Sequence, residues 1–546
     1  MFYTKIRSAK KSGMVFPLPL SVFEKYMFLD DCAGNTMTLP LSIYAEGKID
    51  RSAMNKAYEE ACKLHPLFCA TISKHDYCWH QADKPDEIIW IDSETENIFP
   101  WDKQHIDITQ TTGLRFAVAV HGESCIFHFL FHHCVADGTG FFQFLNSLFE
   151  HYLKNTGQEI TPKQYDITNL INRSKYNLAP PPQKVSLFSS IKFFVVEIFR
   201  WFRCRPLSPF SQDKSTLPNL QDPKSLPTPL SQQQSQQQSQ QQSQQPQQSP
   251  QSQQSQQSSQ LQQSQQSQQS QQSPQIQSLS QSSSVCQSFE SCEVDITGMR
   301  EQFELRHWAN SGFIFVRLSQ NLTSQIIDKS KQKKITVGAS LLSGLFISLA
   351  ETKNLSYIQL SNKIKEVDDK DVLRIGVVNN MRGSGFDNMP ACNVISYTFP
   401  SRCLGDCHDN DDFCQQISAE LRYIKDYNIG TIFIGGLSFF MRIPYFIGRF
   451  IYRDYCLASV IFSSMNRLEL LFSPNFPRDK EGRVCIGEMT LVDFQSAAPY
   501  RSGTPISVTT NTYAGKFGFF VQYNEKKITA KAATGWLKDW LNIIAE

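Results

Sequence analysis

Residues 129–142 read FLFHHCVADGTGFF, an apolar run ending in two histidines, with Asp137 and Gly138 following shortly after. An imidazole with an ordinary pKa near 6.5 can take a proton from a hydroxyl or an amine, so a histidine at a strand end is a candidate general base. His133 is the residue placed for that work. Asp137 can hold the loop by pairing with a cation, and Gly138 offers a backbone kink or room for a substrate. A histidine pair at a strand end is by itself more often structural than catalytic, so the surrounding pattern has to decide.

Three rival chemistries fit the residues less well. Cys125, His128, His132, His133 and Cys134 look like metal ligands by type. On a strand, however, His128 and His132 share a face about 13 Å apart at ~3.3 Å per residue, whereas zinc ligands sit about 2 Å from the metal. Adjacent His132 and His133 point to opposite faces if the strand continues through them, and no metal site is expected. No Gly-x-Ser-x-Gly elbow occurs, and GASLLSG (338–344) falls in a helical pattern, which disfavours a serine hydrolase. Isolated GTG and GSG are too weak to suggest a nucleotide loop.

The elements that must position these residues are legible by period. TLPLSIYAEGKID (38–50) has strand-like content, and LRFAVAVHG (114–122) and SCIFHFLFHH (124–133) read as two strands joined by a turn at His121–Ser124. Ala53, Ala57, Tyr58, Ala61 and Leu64 recur at helical spacing until Pro66 stops the helix, and TGFFQFLNSLFEHYLKN (139–155) reads as an amphipathic helix. The motif therefore lies between a strand and a helix. SGFIFVRLSQ (311–320), a helix capped by Thr336, the strand and loop VLRIGVVNNMRGSG (372–385), and a late strand or hairpin at 515–528 repeat the mixture. Two α/β domains, each a sheet covered by helices, are expected.

The 546 residues exceed one ordinary domain, and 40% hydrophobic content suffices for large cores. Lys+Arg 53 against Asp+Glu 51 provides no global field that would draw nucleic acid. From 231 to 284 the chain is almost entirely Ser and Gln, preceded by a Pro-rich stretch from 207, so 207–290 reads as a disordered insert that cannot offset its ordering entropy. It separates an N-terminal subdomain (14–185, with an apolar-basic connector at 186–206) from a C-terminal one (291–546). The connector and a similar segment at 437–453 are interrupted by charge before the ~20 apolar residues a span needs, leaving membrane-surface contact as an alternative to core packing. The scattered cysteines lack disulfide or zinc spacing, and no apolar h-region follows the basic N-terminus. A cytoplasmic protein with reduced thiols, possessing at most a peripheral membrane contact, is expected.

HHCVADG matches His-His-x-x-x-Asp-Gly, and in its strand-before, helix-after setting the chain resembles the CoA-dependent acyltransferase superfamily, which includes peptide-synthetase condensation domains. The flanking FPLPLSVFEKYMF, EGKIDRSAMNKAYEEACKLHPLFCATI, KKITVGASLLSGLF, GVVNNMRGSG with CNVISYTFP, and TYAGKFGFFVQYN resemble that superfamily's segments in order, over nearly all of the chain outside the insert. The resemblance implies two chloramphenicol-acetyltransferase-like domains forming a V with a central channel. It implies His133 as the base, His132 and Asp137 as architectural, Gly138 lining the approach, and Arg382 and Asn393 holding the loop or the channel. Cys69 stands where many condensation domains have arginine, and Cys392 where glycine is frequent. The partner of Asp137 is thus left open, with Arg382 the remaining candidate.

The expected function is transfer of an acyl group from a CoA thioester to a hydroxyl or amine, with a lipid or long-chain alcohol among the acceptors. No cofactor beyond the acyl thioester co-substrate and no nucleic-acid partner are expected, and the protein is read as a monomer. The alternatives are a free-standing condensation-type domain using a carrier-protein thioester, and a non-catalytic binding protein that retains the fold.

Overall fold

Ser21 starts the first helix by a reciprocal cap: its hydroxyl accepts from Glu24 N, and the Glu24 carboxylate accepts from Ser21 N at 2.7 Å. That helix is α1 (Val22–Asp30), followed by strand β1 (Thr38–Glu46) and helix α2 (Arg51–Leu64), which Asp50 caps through Ala53 N. Then come β2 (Ile89–Asp92), β3 (Leu114–His121), β4 (Ser124–His132) and α3 (Gly138–Asn155). This computed structural model describes residues 15–176, 206–209 and 289–546, except 33, 83–84, 93–99, 102–104, 309, 353–354, 357–367, 444–455 and 502. The connector at 186–205 and the Ser/Gln tract lie outside the described residues.

β4 shows how the pattern becomes a layer. Phe127, Phe129 and Phe131 alternate onto the helix-covered face and are fully or almost fully buried, with Phe129 stacked on Phe116 at 4.3 Å and Phe131 on Phe141 of α3 at 4.4 Å. Burying each such ring stabilises by about 1.5–3 kcal/mol, which locks the strand's register up to its last residue. His128 and His132 take the opposite face.

The second half forms β5 (Phe289–Ile296), β6 (Met299–Trp308), β7 (Ser311–Arg317), α4 (Gln320–Gln332), α5 (Val337–Glu351), β8 (Val372–Asn380), β9 (Ile395–Thr398), α6 (Asp411–Asp426), α7 (Gly430–Phe440), β10 (Val460–Arg467), β11 (Cys485–Ile486), β12 (Met489–Ser496), β13 (Ile506–Tyr513), β14 (Lys516–Asn524) and α8 (Ala530–Ala545). Its sheet runs β9-β8-β10-β13-β14-β7-β6-β5, with β8-β10 and β10-β13 parallel and the other neighbours antiparallel. α5 and α8 cover it closely. A Cβ on Gly344 would sit 2.4 Å from Ile544, so only glycine lets these helices approach. Among the described residues, no single helix is long and apolar enough to cross a membrane.

The first sheet, in order β11-β12-β1-β4-β3-β2, contains strands from both halves of the chain. A division at residue 291 leaves β12 in the C-terminal half, yet it pairs antiparallel with β1. Its register shifts between Leu491 and Asp493, and the bulge keeps Leu491 and Phe494, three apart, both buried in the first core. On the other face of the first sheet, Ala117 and Leu130 pack with Phe313, Phe315 and Phe520 of the second. The described residues of both halves belong to one compact unit.

Because β12 carries the C-terminal half of the chain into the first sheet, Phe494→Ala should destabilise by about 3–5 kcal/mol while leaving one cooperative transition. Denaturant unfolding followed by tryptophan fluorescence and circular dichroism checks this. Two separate transitions in the unmodified protein would show that the halves fold independently.

Candidate active site

The strand ends at His132, and the backbone turns so that His133 N donates to Met37 O at 2.7 Å. His133 is 7% exposed. Its Nδ1 lies 3.0 Å from Ala136 O. Asn393 Nδ2 also lies 3.3 Å from this nitrogen, but its hydrogen bond goes to His133 O at 2.7 Å; the nearer Ala136 carbonyl can only accept, which assigns the proton to Nδ1 and the lone pair to Nε2. Burial lowers the His133 pKa below the ordinary 6.5, while the Ala136 hydrogen bond and the Asp137 charge oppose that shift. A neutral imidazole with a basic Nε2 is the form that can accept a proton.

His132 is held differently. Its Nδ1 accepts from Cys134 N at 3.1 Å, which puts its proton on Nε2, 3.6 Å from Asp31 Oδ2. It is fully buried and braces the turn.

Asp137 caps α3 by accepting from Gly140 N at 2.8 Å. Its other oxygen accepts from Arg382 Nη1 and from Val394 N, both at 2.7 Å. Arg382 is therefore the cation that Asp137 pairs with, and Arg382 Nη2 also donates to Cys392 O at 2.7 Å. Cys69 borders a separate cavity of about 840 Å³ with Tyr58, Cys62 and Trp90, and no motif residue lines it. Asn393, fully buried, donates from Nδ2 to His133 O at 2.7 Å. Residues 392–394 thus grip the motif loop at its carbonyl, its carboxylate and the arginine between them.

Gly138 is the first residue of α3. A Cβ there would meet only the flexible end of Met465, at 2.6 Å. Gly140 is the tighter position, since its Cβ would lie 2.6 Å from Cys392 O, a backbone atom that cannot yield. The second glycine of DGTGFF was the available signal for this contact.

Three further groups escaped the sequence reading. His65, at the end of α2, accepts from Ala391 N at 2.8 Å through Nδ1, and its Nε2 meets Ser147 Oγ at 2.9 Å, so it holds the same 391–394 segment from the other side. Burial pushes its pKa down to about 3, which keeps it neutral. The histidine-proline pair at this helix end was visible, but its partner lies 326 residues away. Asp31 accepts from Met37 N and from His105 Nε2, each at 2.8 Å. Burial alone would raise the Asp31 pKa, but the hydrogen bond from His105 and the proximity of His132 outweigh it and hold the carboxyl well below the usual range. The bond to Asp31 raises His105. Nothing in the local pattern of Asp31 or His105 marked them. Among the described residues, no group of three or more His, Cys, Asp or Glu is placed to hold a metal ion.

No protein-family model matches the chain, and no curated protein matches it significantly. Solved structures do. The first condensation domain of the calcium-dependent antibiotic synthetase, in complex with a substrate analogue, is similar at a TM-score of 0.59 and 10% identity over 97% of this chain and 95% of that one. The TRI3 trichothecene 15-O-acetyltransferase of Fusarium sporotrichioides is similar at 0.57 and 10% over 97% and 94%, and the SgcC5 protein of Streptomyces globisporus at 0.56 and 10% over 96% and 98%. At such identity the likeness is one of fold, and the chain has the fold of condensation domains and this acetyltransferase, as the resemblance of its motifs implied.

Proposed function

We propose that this chain is an acyltransferase in which Nε2 of His133 is the general base. The acceptor hydroxyl or amine gives its proton to Nε2 as its oxygen or nitrogen attacks the thioester carbonyl. The tetrahedral intermediate then breaks its carbon–sulfur bond, and the imidazolium returns the proton to the departing thiolate. No acyl-enzyme forms, and the acyl thioester is the only co-substrate required. The observation that carries this reading is the Nδ1–H bond to Ala136 O at 3.0 Å, which leaves the ring's lone pair on Nε2. The shared fold with an O-acetyltransferase supports the reaction class.

A CoA thioester is the donor in this reading, with a carrier-protein thioester as the alternative, and the transferred group is other than aminoacyl. The protein acts in the cytoplasm. The lipid or long-chain alcohol acceptor rests on the apolar segment 437–453, of which Phe439 and Ile443 are 52% and 39% exposed. The same residues support a peripheral membrane contact. The rest of that segment, 444–453, lies outside the described residues, as does the similar segment at 186–205.

Thiol release from a panel of acyl-CoAs with alcohol and amine acceptors tests the activity. His133→Ala should lower turnover by about 10² to 10⁴ with its melting temperature nearly unchanged. Asp137→Ala should lose about 3–5 kcal/mol of stability as well, because it leaves the Arg382 charge, 11% exposed, without its carboxylate and removes the α3 cap. A folded His133→Ala protein with full turnover would remove His133 as the base.

The pH profile follows from the lowered His133 pKa. Protonation disables the base, so kcat/KM should stay flat from neutral pH down past the ordinary 6.5 and fall only below it. An acid limb centred above 6.5 would contradict the buried, neutral imidazole.

A further inference from the structure

Asp31 forms the C-cap of α1 and is joined to both motif histidines by separate routes. Through Oδ1 it accepts from Met37 N at 2.8 Å, and the same Met37 peptide unit's neighbour, the Met37 carbonyl, accepts from His133 N at 2.7 Å. Through Oδ2 it accepts from His105 Nε2 at 2.8 Å and faces the protonated Nε2 of His132 at 3.6 Å. The three side chains are graded in exposure, with His132 at 0%, Asp31 at 10% and His105 at 27%. His105 is the member that solvent reaches. The tie to the second half falls on the preceding residue, since Asp30 accepts from Arg501 Nε at 2.9 Å and Nη2 at 3.2 Å.

We propose that Asp31 is a positioning residue for His133, fixing the backbone from which the base projects by holding the Met37 residue and the His132 ring, with His105 as its anchor toward solvent. The proposal rests on the acyltransferase reading for its kinetic consequence only. A general base works when its nitrogen lies within hydrogen-bond reach of the acceptor proton, and a misplacement of about 1 Å can cost about 10²-fold in rate. Asp31 touches neither the reacting nitrogen nor the 391–394 segment in the contacts described above. Its effect must therefore pass through the turn at 132–133.

Asp31→Asn is the diagnostic substitution. It keeps an oxygen for Met37 N–H but sets an amide donor against the N–H groups of His105 and His132, where a carboxylate had accepted. Turnover should fall about 10- to 100-fold with the KM for the donor within about twofold, because orientation and not donor binding is disturbed. In a His133→Ala background the same substitution should cost nothing further, since a base that is absent cannot be mispositioned. His105→Ala, at a partly exposed position, should give a smaller loss in the same direction, and it serves if Asp31→Asn does not fold. Ring ¹⁵N spectra of histidine-labelled protein supply a readout that needs no substrate: the His133 resonances, assigned by their disappearance in His133→Ala, should shift in Asp31→Asn or in His105→Ala. Unchanged His133 resonances in a folded variant would overturn the proposal, as would a loss of rate that multiplies fully with that of His133→Ala. Absence of turnover by the unmodified protein with every acyl thioester would overturn the acyltransferase reading instead, and the spectra would still decide the role of Asp31.

Discussion

The buried carboxylate of Asp137 is the constraint on which the rest of the site depends. Its side chain is 3% exposed, and an ionised carboxylate out of water is tolerated only if charge and hydrogen bonds surround it. Gly140 N supplies one bond from its own helix, but Arg382 and Val394 come from about 250 residues further along the chain. The motif loop therefore cannot reach its final geometry until the second half has closed onto it. Such a pair is weak as a source of net stability, because desolvation offsets much of the attraction. What it supplies is direction, since only one placement of 382–394 satisfies Asp137.

That placement carries other consequences. Once Val394 N is on Asp137, Asn393 is in reach of His133 O and Ala391 N is in reach of His65. Gly140 has to lack a side chain because Cys392 O passes 2.6 Å from where a Cβ would be. From the other direction, the stacked phenylalanines of β4 bring the strand's end to a defined point, and Met37 O receives His133 N there. The base is thus pinned at its N–H by the first half and at its carbonyl by the second.

Local pattern made the strands, the two helices flanking the motif and the motif itself readable, because periods of 2 and 3.6 report which face is buried. The roles of Arg382 and Asn393 came only through resemblance, for nothing in GVVNNMRGSG or CNVISYTFP says which carboxylate or carbonyl they meet. Cys69 left the partner of Asp137 open for the same reason, and the remaining candidate, Arg382, is the cation it uses, 245 residues away. β12 was illegible as a member of the first sheet because a bulge breaks its alternation: Met489 and Leu491 are two apart, as in a strand, but Leu491 and Phe494 are three apart, a spacing that a helix also gives. Asp31 and His105 are single polar residues in irregular segments, where period carries no information.

The chemistry asks for two properties that oppose each other. A base must be shielded to stay neutral near pH 7, yet its accepting nitrogen must meet a substrate. Burial at 7% exposure meets the first demand by depressing the His133 pKa. Left alone, burial would also leave the ring free to present either nitrogen, and a neutral imidazole in the wrong tautomer offers an N–H where a lone pair is needed. The Ala136 carbonyl resolves this by accepting a hydrogen bond from Nδ1–H, and it can do so only while the 133–137 turn is tight. The clasp of Asp137 by Arg382 and Val394 keeps that turn tight, so the same interaction that joins the two halves of the chain also selects which nitrogen of His133 is basic.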